Sequence, residues 1–213
     1  PKKVTNSPLL MLFIPLIFLA LLGDFPRTDG NAMFFIYRVG RKSWIQGELL
    51  FVLMAISTFL ICIAVGVTVP LVGQLQWKAN WSETVRLYTR TFPDKAESFA
   101  ADLIPEQLYN QMSPYMALFN TCFLQVLYLL ILSLLLLWFW CAGHRKVGFF
   151  ITVCIVAFGA AVAFLKGALM WFFPMAHANI WLRHISVLRR VMFPLWGSYV
   201  VLIFCVCVLI ALD

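Results

Sequence analysis

Residues 34–50 read FFIYRVGRKSWIQGELL, a short aromatic and basic stretch that passes without a proline into a long apolar run. Arg38, Arg41 and Lys42 cluster beside Trp44 and follow Phe34, Phe35, Ile36 and Tyr37. This is the make-up of a helix lying in a membrane interface, where cations meet lipid phosphate or water and aromatic rings sit at headgroup depth. Gly40 weakens a free helix, but between two helical pieces it lets the chain turn from lying on the membrane to crossing it. Two readings follow from this chemistry: a basic anchor at the foot of a transmembrane helix, or an elbow over 34–48 on which a cytoplasmic partner docks.

The whole composition agrees with a membrane setting. Hydrophobic residues make up 63% of the chain, charged residues 12%, and the mean hydropathy is +0.92. Soluble globular chains carry about 25% charge, so a soluble domain is excluded. The formal net charge of +7 would suggest nucleic acid in a soluble protein. In a chain this apolar, loop Lys and Arg instead set topology and meet anionic lipid, and nucleic acid is not expected as a partner.

Apolar runs divide the chain into an all-α integral membrane protein with five transmembrane helices and short interfacial helices between them. The expected spans are 8–23, 49–73, 116–141, 148–173 and 191–212, in a single transmembrane domain. The first run is close to the minimum of roughly 20 residues that a bilayer requires, and Pro15 inside it predicts a kink. The second, 49–73, holds no charged residue. Residues 74–115 are too many for a simple connection. Trp77, Trp81, Leu87, Tyr88, Phe92, Phe99, Leu103 and Leu108 within them predict short amphipathic helices that fold into an extracellular cap. A second amphipathic stretch, 174–190, sets Ile180, Trp181, His184, Ile185 and Leu188 against Arg183, Arg189 and Arg190.

The cations assign the sides. Loop 24–46 and turn 142–147 fall on the same side and carry Arg27, Arg38, Arg41, Lys42, Arg145 and Lys146 at the higher density, which makes that side cytoplasmic. Lys2 and Lys3 then fall outside. A sixth transmembrane helix ahead of Pro1 would resolve the conflict, an expectation that the lack of an initiating Met favours.

In that orientation the stretch FFIYRVGRKSWIQGELLFVLMAIS resembles the cytoplasmic elbow between the second and third helices of bacterial ATP-binding-cassette exporter permeases of the ABC type-two group. The large outer loop, the short basic inner turn and the surface stretch HANIWLRHISVL before the last span follow the same order. The resemblance implies a permease subunit in the bacterial cell membrane that moves an amphipathic peptide, antibiotic or lipid outward. It implies two partner chains besides membrane lipid: a second permease subunit and a cytoplasmic ATPase that carries ATP and Mg. The sequence has no GxxxxGK[ST] phosphate loop of its own. Carried over, the coupling residues are Arg38, Arg41, Lys42 and Trp44 in the elbow with His144, Arg145 and Lys146 in the turn.

Lys166, Gln125 and Asn120 are the candidates for a substrate path. A cation at the centre of a span costs about 3 kcal/mol or more, so Lys166 either serves function or snorkels from its place near Pro174 to the outer interface. Gln125 and Asn120, uncharged polar residues on the third span, suit interhelical hydrogen bonds better than ligand contacts. His144, His177 and His184 come with no HExxH pattern and no carboxylate partner, so neither a metal site nor a catalytic centre is expected. Cys62, Cys122, Cys141, Cys154, Cys205 and Cys207 lie in or at the ends of spans with no CxxC pair and read as apolar packing residues. Two other functions remain: a membrane binding or immunity protein that sequesters a peptide without transport, and an integral-membrane enzyme acting on lipid.

Overall fold

In the computed structural model, residues 8–26, 32–72, 112–164, 168–183 and 193–212 are described, and every regular element among them is helical. The helices are α1 (Pro8–Leu21), α2 (Ala32–Val39), α3 (Arg41–Thr68), α4 (Pro114–Cys141), α5 (Arg145–Phe164), α6 (Pro174–Ala178) and α7 (Leu195–Leu212). Short 3₁₀ segments lie at Val69–Leu71, Ala168–Phe172 and Ile180–Arg183. Lys166, most of the 74–115 cap and the 184–190 part of the second amphipathic stretch lie outside the described residues.

Three helices, α3, α4 and α5, are long and apolar enough to cross a membrane. The 28 residues of α3 and of α4 correspond to about 42 Å at 1.5 Å per residue, more than the roughly 30 Å of a hydrocarbon core. The shorter helix α1 is apolar throughout, and α7 is apolar but for Ser198 and the Tyr199 hydroxyl. Several Ser and Thr hydroxyls along the helices are met within their own backbone. Ser57 donates to the Leu53 carbonyl at 2.8 Å, Thr58 to Met54 at 2.9 Å, Thr68 to Ala64 at 2.8 Å and Thr152 to Gly148 at 2.8 Å. A hydroxyl closed onto the preceding turn presents no unmet polar group to lipid.

The hub is α4, which packs against α1, α3, α5, α6 and α7. Its middle, from Tyr128 to Leu134, is buried on all faces, as expected of a helix that is hydrophobic all round. Ser113 caps its start by accepting the Met116 N–H, and Pro114 sits in the first turn, where no N–H is needed. Around α4 the core is completed by Phe18 and Leu19 of α1, Val52 and Ile56 of α3, Val156 and Ala160 of α5, and Leu202 of α7.

The sequence-expected spans differ from the helices at two places. The run expected over 49–73 is the continuation of a helix that already begins at Arg41, because nothing between Lys42 and Leu49 stops propagation once Gly40 has made the break. The elbow therefore consists of α2, Gly40 and the first two turns of α3. The run expected over 148–173 is helical from Arg145 only to Phe164. After it, Ala168–Phe172 is 3₁₀ and Pro174 opens α6, so this part of the chain folds back into the protein. Met175, Ala176, His177, Ala178, Ile180, Leu182 and Arg183 are all buried, unlike a stretch lying on the membrane surface.

Candidate functional site

Two sets of side chains gather at opposite ends of α4. At its carboxy-terminal end the chain turns through Ala142, Gly143 and His144. Gly143 adopts φ +79°, its N–H bonding to the Trp140 carbonyl at 2.9 Å and the His144 N–H to Phe139 at 2.9 Å, the paired bonds of a Schellman cap. Arg145, just past the turn, donates from Nη2 to the Gly23 carbonyl at 3.0 Å and to Asp24 Oδ1 at 3.2 Å. It ties the end of α1 to the turn. His144 and Lys146 are exposed.

The elbow meets the same end. Gly40, at φ +88° and ψ +148°, separates α2 from α3 in a backbone region closed to other residues. Its N–H still bonds to Ile36 at 2.9 Å and its carbonyl accepts the Trp44 N–H at 3.1 Å, so the break is a bend and not a gap. The Trp44 ring lies 5.0 Å from that of Trp140 in the last turn of α4, which brings the elbow to the end of α4 from which the turn departs. Arg38 and Lys42 are exposed, Arg41 opens α3, and Tyr37 of α2 stands out from the bundle. The seven residues named for coupling thus share one end of the protein.

The second set lies at the opposite end, where α4 begins, α5 ends and α7 begins. His177 Nε2 is 2.8 Å from the Trp171 carbonyl and Nδ1 is 2.9 Å from Ser198 Oγ. A carbonyl only accepts, so Nε2 carries the proton, and Ser198 donates to Nδ1. The imidazole is neutral in this arrangement. Burial holds its pKa below the usual histidine value and the nearby Arg183 charge adds to this, partly offset by the bond to Trp171. The ring is enclosed by Trp171 at 5.5 Å and Phe193 at 5.1 Å, themselves stacked at 5.1 Å.

Arg183, 1% exposed, donates from Nη2 to the His177 carbonyl at 2.6 Å. Its Nε and Nη1 are buried and find no acceptor among the described residues. A buried donor left unmet costs about 1–3 kcal/mol, and more on a charged group. Burial pulls the guanidinium down to about 10, with Tyr199 acting in the opposite direction, so it remains a cation at neutral pH. Tyr199 in turn donates to Asn120 Oδ1 at 2.5 Å, bridging α7 to α4. Asn179 closes the end of α6 by donating to the Met175 carbonyl at 2.8 Å.

Of the residues that the sequence singled out for a path, Asn120 stands beside this cluster and Gln125 is half-buried further along α4. His177, Arg183, Ser198 and Tyr199 were not named for a path. The signal available was a His, an Asn and an Arg within PMAHANIWLR, more hydrogen-bonding capacity than a stretch flanked by spans ordinarily buries. No group of three or more His, Cys, Asp or Glu side chains converges among the described residues. Comparison with family models, with curated proteins and with solved structures finds no match to this chain.

Proposed function

We propose that this chain is the membrane subunit of an ATP-binding-cassette exporter, moving an amphipathic substrate out of a bacterial cell on energy from a separate ATPase chain. In this reading α1 and α7 join α3, α4 and α5 as spans, and the Trp44 end of the bundle faces the cytoplasm. The observation that carries it is the meeting of the basic elbow with the basic turn at one end of the protein, through the Trp44–Trp140 contact. A partner pressing on either segment would move both, and α3, α4 and α5 would transmit that motion along their length. A second permease subunit would cover part of the apolar face that α3 leaves exposed at Leu50, Met54, Ile61 and Val65.

The test is to tag the chain in its native membrane, extract the complex in mild detergent and identify what copurifies. An ATPase subunit is expected, together with crosslinks to residues 38–46 and 142–146. Extracellular labelling of a Lys42→Cys variant by a membrane-impermeant maleimide, or a complex without any ATPase, would refute the proposal.

A further inference from the structure

We infer that Arg183 is the receptor for an oxyanion, a carboxylate or phosphate group, bound at the end of the bundle opposite the elbow. Of the five N–H groups on a guanidinium, the one on Nε and the two on Nη1 have no acceptor among the described residues, although the side chain is 1% exposed. The His177 carbonyl takes a hydrogen bond from Nη2 and so fixes the plane of the group, but it supplies no charge. The only described carboxylates, Asp24 and Glu48, both belong to the opposite end of the protein, Asp24 being paired with Arg145 there. The groups beside Arg183 are neutral: the imidazole of His177 keeps its proton on Nε2, and Tyr199 and Ser198 are committed as donors to Asn120 and His177.

A cation so placed is stabilised by an anion with more than one acceptor, which a planar carboxylate or a tetrahedral phosphate provides and a single carbonyl does not. Trp171 and Phe193, stacked on each other beside His177, place an apolar wall close by. That combination suits the charged head of an amphiphile as well as a free anion. Arg183 and the His177 carbonyl that holds it lie on short pieces, the 3₁₀ segment Ile180–Arg183 and the five-residue α6, and not on a spanning helix. The site does not depend on coupling to an ATPase and would exist in a protein that has no such partner.

The experiment uses the full chain in nanodiscs, with the thermal unfolding midpoint and isothermal titration as readouts. Inorganic phosphate, and in a parallel series acetate as the carboxylate, is titrated into phosphatidylcholine discs, and separately the phosphatidylcholine is replaced stepwise by phosphatidylglycerol. Saturable stabilisation in the first arm identifies a free anion, in the second arm the headgroup of a net anionic lipid, and either supports the site. Arg183→Lys keeps the charge but loses the planar array of donors and is expected to weaken binding on the order of tenfold, while Arg183→Gln abolishes it. If Arg183→Gln does not fold, the wild type and Arg183→Lys decide. Wild-type protein silent in both arms overturns the inference, as would be seen if a carboxylate elsewhere in the chain already paired with Arg183. A response that survives Arg183→Gln undiminished overturns it also.

Discussion

His177 gives the protein an acid limit. Its pKa in the fold lies below that of an unfolded histidine, about 6.5, because burial opposes the charged form. The stability linked to the neutral ring is fully present above that value and is lost as pH falls through the lower folded pKa. The unfolding midpoint should therefore be flat above about pH 7 and decline in mild acid. His177→Gln should lower the midpoint at pH 7.5, by loss of the Ser198 bond, and flatten the decline. A decline unchanged in the variant would place it on another group. Tyr199→Phe removes the donor to Asn120 and should cost about 0.5–1.5 kcal/mol, measured by denaturant titration in detergent. Arg145 differs from these, since its partner Asp24 is fully exposed and the ion pair is screened. Asp24→Asn should leave the midpoint nearly unchanged, and Arg145→Ala, which also loses the bond to the Gly23 carbonyl, should lower it more.

At the scale of the element, the elbow depends on one residue. A Cβ on Gly40 would meet nothing within 4 Å, so the cost of Gly40→Ala is backbone strain alone, about 1–3 kcal/mol at φ +88°. The chain can relieve that strain by swinging α2, whose contacts are chiefly with α3. If the proposed function holds, the expected result is a small loss in midpoint accompanied by a larger loss of substrate-stimulated ATPase activity in the assembled complex. Reversing charge at Arg38 and Lys42 to Glu should lower the same activity without lowering the amount of protein inserted. Equal losses of insertion and activity would mean that these cations act as membrane anchors. Arg41 and Lys42 reversed together form the companion variant, and its insertion is expected to be equally unaffected because the apolar part of α3 is untouched.

For the whole molecule, stability is concentrated along α4. Leu132 is fully buried at the meeting of the surrounding helices, whereas Met54 on α3 is 70% exposed. Leu132→Ala should cost about 2 kcal/mol, the low end of the core range, because lipid competes with protein for apolar contact and only the lost packing counts in full. Met54→Ala should change the stability of the single chain little. Measured by unfolding in mixed micelles, equal effects would contradict the placement of α4 at the centre.

How much of this was open to a reader of the sequence follows from the range over which each interaction acts. The apolar runs, the break at Gly40 and the short basic turn over 142–147 are decided by neighbours within a few residues, and the sequence alone determined them. Asn120 could be named for the same reason, as a polar residue within an apolar run. The tertiary structure decided that α3 begins at Arg41, that the chain past Phe164 folds inward, and that Arg183 is a buried cation and not a topology marker. It also decided that His177 finds Ser198, 21 residues away, and that Tyr199 finds Asn120, 79 residues away. Local hydropathy records how much a segment gains by leaving water, but the partner that meets a polar group once it has left is set by which helices pack together.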